Sequence, residues 1–114
     1  MRDAEGEQTL LRIIVSESRT HDHRPVFRAI LETLRDEGLA GATVFKGVEG
    51  LGHDGSVHTV ALEVASQGLA IVLEVVDTRE RIDRVLPKLE PLLEGSVVTL
   101  ERARVVRRGP RPSV

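Results

Sequence analysis

The sequence contains no cysteine, tryptophan or tyrosine, and Phe27 and Phe45 are its only phenylalanines. Without cysteine, the chain cannot form a disulfide, a thiolate metal site or a cysteine nucleophile. With so few aromatic side chains, it has almost nothing from which to build the stacking platform that binds single-stranded nucleic acid. Thiol chemistry and base stacking are therefore set aside as functions.

A strong net charge and a long apolar run are also absent. The formal net charge of -2 gives no general attraction to nucleic acid, so no nucleic-acid partner is expected. No apolar stretch approaches the roughly 20 residues that span a bilayer. The N-terminal residues (MRDAEGEQ) are acidic and polar, unlike a signal peptide. We therefore predict a cytoplasmic protein.

The length of 114 residues predicts a single domain. Residues 1–8 are expected to form a flexible leader, residues 9–106 the domain, and residues 107–114 (RRGPRPSV) a basic, disordered tail. Apolar and β-branched runs predict strands, with a further short extended segment after the second. The predicted strands cover residues 10–16, 42–48, 71–76 and 97–106, and the short segment covers residues 60–64.

Two segments carry apolar residues at helical spacing. The first follows Pro25, which suits the first turn of a helix, and stops at Gly38. The second is predicted to begin at Asp77 as its capping residue. Because Pro87 and Pro91 interrupt it, we expect a kink or two abutting helical pieces.

The element order β-α-β-β-α-β predicts an α+β fold, a ferredoxin-like sandwich in which two helices cover one face of an antiparallel sheet. The strands LLRIIV and IVLEVV are apolar on both alternating faces. A strand that is apolar on both sides is expected to be buried on both sides. The second sheet face should therefore meet another subunit, since a large exposed apolar patch marks an interface.

Glycines and polar or charged residues are concentrated in residues 41–59 (GATVFKGVEGLGHDGSVHT). The glycines at 47, 50, 52 and 55 let backbone N–H groups approach a ligand, and consecutive amides can form an anion nest. The alternative is that these glycines turn a hairpin or bend a strand. Neither the Walker spacing nor the Rossmann spacing is present.

The chain resembles the PII-like superfamily of signalling proteins, and within it a branch catalogued as a domain of unknown function. The resemblance rests on GLAGATVFKGVEGLG, on the HT pair at residues 58–59, on IVLEVVD and on VVTLERARV. It implies a homotrimer whose sheets face inward, and it implies adenine nucleotides bound in clefts between subunits. No firmly held cofactor is implied; ADP, AMP and ATP are the expected ligands.

The resemblance also implies which residues contact the ligand and what the protein regulates. The ligand-binding residues carried over are Gly50, Leu51, Gly52, His58, Thr59, Arg102 and Arg104. The segment 52–69 is expected to act as the mobile loop that docks on a partner. A membrane transport protein or channel is a candidate partner by association. Only Glu94-Gly95-Ser96 stands where PII proteins carry a glycine-rich turn before the last strand.

Two alternatives to the nucleotide-binding interpretation remain open. A CutA-like protein of the same trimeric fold would bind a divalent metal or a small anion, with His53 and His58 as ligands. The HDH sequence at residues 21–23 also has a spacing that metal can use. A structural protein would use its loop only for docking. Catalysis is not predicted, because Ser56 beside His58 lacks the context of a nucleophile elbow.

Overall fold

The computed structural model describes residues 6–51, 57–59 and 68–108. In chain order its elements are β1 (Gly6–Ser16), β2 (Thr20–His21), β3 (Arg24–Pro25), α1 (Val26–Asp36), β4 (Thr43–Lys46), β5 (Glu49–Leu51), β6 (Val57–Thr59), β7 (Ala70–Asp77), α2 (Arg79–Leu89) and β8 (Val97–Val105). A 3-10 turn, Glu90–Leu92, follows α2 directly.

The main sheet contains four strands in the order β4-β7-β1-β8, and each strand is antiparallel to its neighbours. This is the strand order of a ferredoxin-like fold. The core lies on one side of the sheet, because alternate residues of the two central strands are buried there against both helices. The buried set is Leu11, Ile13, Val15, Ile71, Leu73 and Val75 from the strands, with Val26, Ile30, Leu34, Ile82, Val85 and Leu89 from the helices. The predicted α+β architecture, with two helices on one sheet face, is confirmed.

The first strand is longer than its apolar run. It begins at Gly6 rather than at residue 10, and Gly6 pairs with Val105 of β8. Gln8 and Thr9 are buried, although both are polar. The backbone ladder to β8 therefore extends the strand into residues that hydropathy alone assigned to the leader.

The second helix begins one residue later than predicted. Asp77 is the last residue of β7, and Thr78 is the N-cap, its hydroxyl accepting a hydrogen bond from the Arg81 N–H at 3.2 Å. Pro87 lies inside α2 and Pro91 lies in the 3-10 turn that follows it, so of the two predicted outcomes, a kink or two abutting helical pieces, the structure shows the second. Neither described helix combines the length and the apolar character needed to cross a membrane.

Between the first predicted strand and the first predicted helix, residues 20–25 form the small β2–β3 hairpin. Asp22 and His23 form its turn with positive φ angles of 53° and 67°. Two consecutive positive φ values are typical of the type I′ hairpin turn, and Asp and His tolerate them better than most residues. The hairpin places Arg24 beside α1, where its Nη2 donates to both carboxylate oxygens of Glu32 at 2.7 Å.

We predict that the pKa of Glu32 lies below its ordinary value of 4.5, chiefly because of the hydrogen bond from Arg24. A lowered folded-state pKa means that the pair stabilises the protein above the ordinary carboxyl pKa, and that this contribution is lost as the pH falls through the lowered value. An NMR titration of the Glu32 carboxyl carbon should give a midpoint below 4.5, and Arg24→Ala should move it upward. A midpoint at or above 4.5 in the native protein would contradict the prediction.

Candidate functional site

The sheet face opposite the helices is partly apolar. Cross-strand pairing places Leu10 beside Val76 and Ile14 beside Val72 on this face, and all four are half-buried. Phe45 and Val97 lie at its two edges, and they are 49% and 45% exposed. The predicted second apolar face therefore exists. We refer to it below as the open face.

Three charged residues stand in the centre of the open face. Arg12 Nε donates to Glu74 Oε2 at 2.9 Å, and its Nη1 lies 3.6 Å from Glu101 Oε2. The hydrogen bond to Glu74 raises the pKa of the Arg12 guanidinium above its ordinary value. Glu74 is the one polar residue in the predicted strand over residues 71–76. Its pairing makes the open face a mixed surface with charges in the middle.

A groove of about 500 Å³ lies at one end of the open face. Its walls come from segments far apart in sequence: the α1–β4 connection, the end of β7 and the residues that follow β8. They are residues 41–43, Glu74, Val76, Val105, Arg107 and Arg108. Arg108 Nη2 donates to the Val76 carbonyl at 3.0 Å, which holds the chain after β8 against the sheet. The groove, called the inner groove below, has two arginine residues in its lining.

Arg107 and Arg108 are the residues that sequence reasoning missed. Both were assigned to a disordered tail, whereas both line the inner groove. The guanidinium fork of arginine suits phosphate and carboxylate groups, so the lining favours an anionic ligand. Their place directly after the last strand was the available signal, because β7 and β8 both run antiparallel to β1, which lies between them, so their last residues lie at the same end of the sheet.

One wall of the inner groove is anchored by a buried carboxylate. Asp77 is 2% exposed, and its Oδ2 accepts the Ala40 N–H at 2.7 Å. Its Oδ1 accepts the Thr78 N–H at 2.7 Å and a hydrogen bond from Arg81 Nη1 at 3.3 Å. Asp77 thus ties the α1–β4 connection to the start of α2, in place of the capping role predicted for it.

The predicted ligand-binding residues divide into two groups. Gly50 and Leu51 lie in β5 and His58 and Thr59 in β6, and the ladder between these strands pairs Gly50 with His58. Residues 49–59 of the glycine-rich segment thus begin and end in a two-stranded ladder, which agrees with the hairpin interpretation. Gly52 and His53 lie outside the described residues.

Arg102 and Arg104 form the second group. They lie exposed on β8, where they pair with Thr9 and Glu7, and they share one face as predicted. Because Thr9 has the same parity as the buried residues of β1, this is the helix side of the sheet. Within one chain, the structure therefore does not bring Arg102 and Arg104 to the inner groove.

The described residues contain no group of three or more side chains able to hold a metal ion. In the β2–β3 hairpin, His21 Nε2 lies 3.6 Å from Asp22 Oδ2, and this pair is exposed. The proposed metal ligand His53 lies outside the described part of the chain. The CutA-like metal site stays a prediction.

The short turn before β8 depends on a glycine. Gly95 has φ +78°, and a Cβ placed there would collide with the Arg19 guanidinium. We expect Gly95→Ala to lower the free energy of unfolding by about 1–2 kcal/mol, since non-glycine residues are strained at positive φ. Urea denaturation measures the change. Gly41→Ala is the matched control, because nothing lies within 4 Å of a Cβ there; equal effects of the two variants would contradict the prediction.

The sequence profile of the DUF190 family, described as "Uncharacterized ACR, COG1993", matches residues 8–105. A UPF0166 protein of Aquifex aeolicus (strain VF5) is 32% identical over 100 residues, covering 88% of this chain and 94% of that protein. A UPF0166 protein of Methanocaldococcus jannaschii is 33% identical over 87 residues, covering 76% of this chain and 80% of the relative.

Solved structures of similar shape include CPII, a nitrogen regulatory PII-like protein from Thiomonas intermedia K12, bound to ADP, AMP and bicarbonate. It superposes with a TM-score of 0.67 and 19% identity, over 89% of this chain and 90% of that chain. A second CPII structure, bound to ADP and bicarbonate, gives a TM-score of 0.60 and 21% identity, over 89% of this chain and 90% of that chain. At this identity the likeness establishes the fold, and it confirms the PII-like resemblance of the sequence.

Proposed function

Because the chain belongs to the DUF190 family and has a PII-like ferredoxin fold, we propose that it is a regulatory protein that binds a small anionic effector between the subunits of a homotrimer. The observation that carries the proposal is the inner groove, in which Arg107 and Arg108 stand at the end of the open face. A groove on a surface that another subunit covers becomes a cleft between subunits.

The homotrimer is supported by the composition of the open face. Burial of the open face in an interface would stabilise the assembly, since each Å² of buried apolar surface contributes about 25 cal/mol. The apolar side chains that would be buried are the exposed Phe45 and Val97 and the half-buried Ile14 and Val72. The paired charges at the centre suit an interface that also fixes the orientation of the subunits. The predicted inward-facing sheets of a PII-like trimer use this same face.

Adenine nucleotides are the proposed effectors, with bicarbonate as a second anion to test, because the CPII structures are bound to ADP, AMP and bicarbonate. Guanidinium groups suit both kinds of anion. Gly50, Leu51, Gly52, His58, Thr59, Arg102 and Arg104 remain the proposed contacts from the other side of the cleft. On this proposal, the trimer brings these residues of one subunit together with the inner groove of a neighbouring subunit.

The proposed output is a change in the order of residues 52–69. An effector can shift such an equilibrium only if it binds one state better than the other. The segment would then dock on a partner, for which a membrane transport protein or channel is our candidate. The role is regulatory rather than catalytic, and the proposed location is the cytoplasm.

Titration calorimetry with AMP, ADP, ATP, cyclic dinucleotides and bicarbonate, each with and without magnesium, tests the proposal. We expect saturable binding of an adenine nucleotide, weakened about tenfold or more by the double change Arg107→Ala and Arg108→Ala, since charge-assisted hydrogen bonds are lost. Arg84→Ala, on the exposed side of α2, is the matched control and should bind normally. The absence of measurable binding to every compound in the panel would refute the nucleotide proposal.

A further inference from the structure

A second groove lies on the opposite side of the sheet, between α1 and the segment that leads into β4. Its volume is about 390 Å³, within the range of small-molecule sites. The floor is aliphatic and consists of Leu31, Leu34, Leu39 and Ala42. All four belong to the hydrophobic core or pack against it, so the floor is fixed in place. We call this the outer groove.

Cationic groups stand along the rim of the outer groove. Arg28 and Arg35 line it together with Glu32. The Glu32 carboxylate is already engaged, since Arg24 donates to both of its oxygens. The pKa of Glu32 is lowered by the guanidinium groups of Arg24, Arg35 and Arg28, so three positive charges act on one carboxylate. The rim therefore carries an excess of positive charge.

Arg28 and Arg35 each make a weak interaction with an adjacent residue of the chain. The Arg28 guanidinium carbon lies 5.4 Å from the centre of the Phe27 ring. Arg35 Nε lies 3.2 Å from Oδ1 of the adjacent Asp36, and both side chains are exposed. Exposed ion pairs of this kind contribute little to stability. Either guanidinium can therefore turn toward a negatively charged group in the groove at small cost.

We infer that the outer groove binds a small amphiphilic monocarboxylate, its alkyl part on the leucine and alanine floor and its carboxylate between Arg28 and Arg35. The aliphatic floor offers no ring for a base to stack on, which favours an alkyl chain over a nucleotide. The positive rim favours an acid over an alcohol or an amine of the same length. The inference does not depend on the proposed nucleotide function, because the two grooves lie on opposite sides of the sheet.

Sodium octanoate is the probe, with octan-1-ol as its neutral counterpart. In methyl-labelled full-length protein, octanoate should shift the NMR signals of Leu31, Leu39 and Ala42 with a saturable dependence. Octan-1-ol should bind at least about tenfold more weakly, because it lacks the charge-assisted hydrogen bonds. Shifts that never saturate, or equal affinity for the two probes, would overturn the inference.

Charge-reversed variants locate the site. The double change Arg28→Glu and Arg35→Glu should weaken octanoate binding by about tenfold or more and leave octan-1-ol binding nearly unchanged. Arg84→Glu makes the same kind of charge change on exposed α2, outside the described lining of both grooves, and should have little effect. If the charge-reversed protein does not fold, Arg28→Gln with Arg35→Gln carries the same test. Octanoate binding that survives the loss of both arginines would exclude this site.

Discussion

Phe45→Lys is expected to convert the proposed trimer into single chains. Phe45 lies on the open face, and its half-exposed side chain can be replaced without opening the core. In the trimer, however, the lysine ammonium would be buried without a partner, which costs several kcal/mol in each subunit. Sedimentation at micromolar concentration should then show the mass of one chain, whereas the native protein should show three times that mass.

Val44→Lys is the matched control for this experiment. Val44 is the neighbouring residue of the same strand, it is 37% exposed, and it points to the helix side of the sheet. The control should leave the trimer intact, since it places the same charge outside the proposed interface. A native protein that sediments as a single chain, or two variants that behave alike, would refute the trimer through this face.

Asp77→Ala is expected to lower the free energy of unfolding by about 2–4 kcal/mol, because it removes a buried carboxylate and leaves partly buried N–H groups without their acceptor. The carboxylate accepts hydrogen bonds from the Ala40 and Thr78 N–H groups and from Arg81, and it is 2% exposed. Removing it also detaches the α1–β4 connection from β7. The loss should appear as a lower urea midpoint with an unchanged slope.

Asp83→Ala provides the comparison for Asp77. Asp83 is an exposed acid on α2 that pairs with Arg79 at 2.9 Å. Such surface pairs contribute about 0–1 kcal/mol, so the control should change stability little. If Asp77→Ala cost no more than Asp83→Ala, the anchoring role described for Asp77 would be wrong.

Local periodicity was sufficient to predict the fold. Strands and helices each bury one stripe of side chains, so the apolar spacing of residues such as Ile30 and Leu34, or Ile13 and Val15, predicts both the element type and its inward face. Proline chemistry likewise predicted the break near Pro91. In contrast, the choice of Thr78 over Asp77 as N-cap depends on where β7 stops pairing, which is a tertiary property.

The site was less predictable because its residues come together only through the sheet. Whether Arg102 points to the helices or away from them depends on the register with Thr9, which composition does not specify. Arg107 and Arg108 were assigned to a solvated tail because the composition of RRGPRPSV does not predict the hydrogen bond from Arg108 to Val76 of β7, and only their position after the last strand pointed to it. The type I′ turn at Asp22-His23 was missed for a related reason, since neither residue is glycine.

Residues 41 and 42 line the inner groove on one side and the outer groove on the other. Because these two residues separate the grooves, a shift of their backbone toward one groove enlarges the other. If a ligand in either groove displaced residues 41 and 42, the affinity of the other groove for its own ligand would change as well. Thermodynamic linkage requires that each ligand change the affinity for the other by the same factor. The hydrogen bond from the Ala40 N–H to Asp77 would determine how far residues 41 and 42 can move.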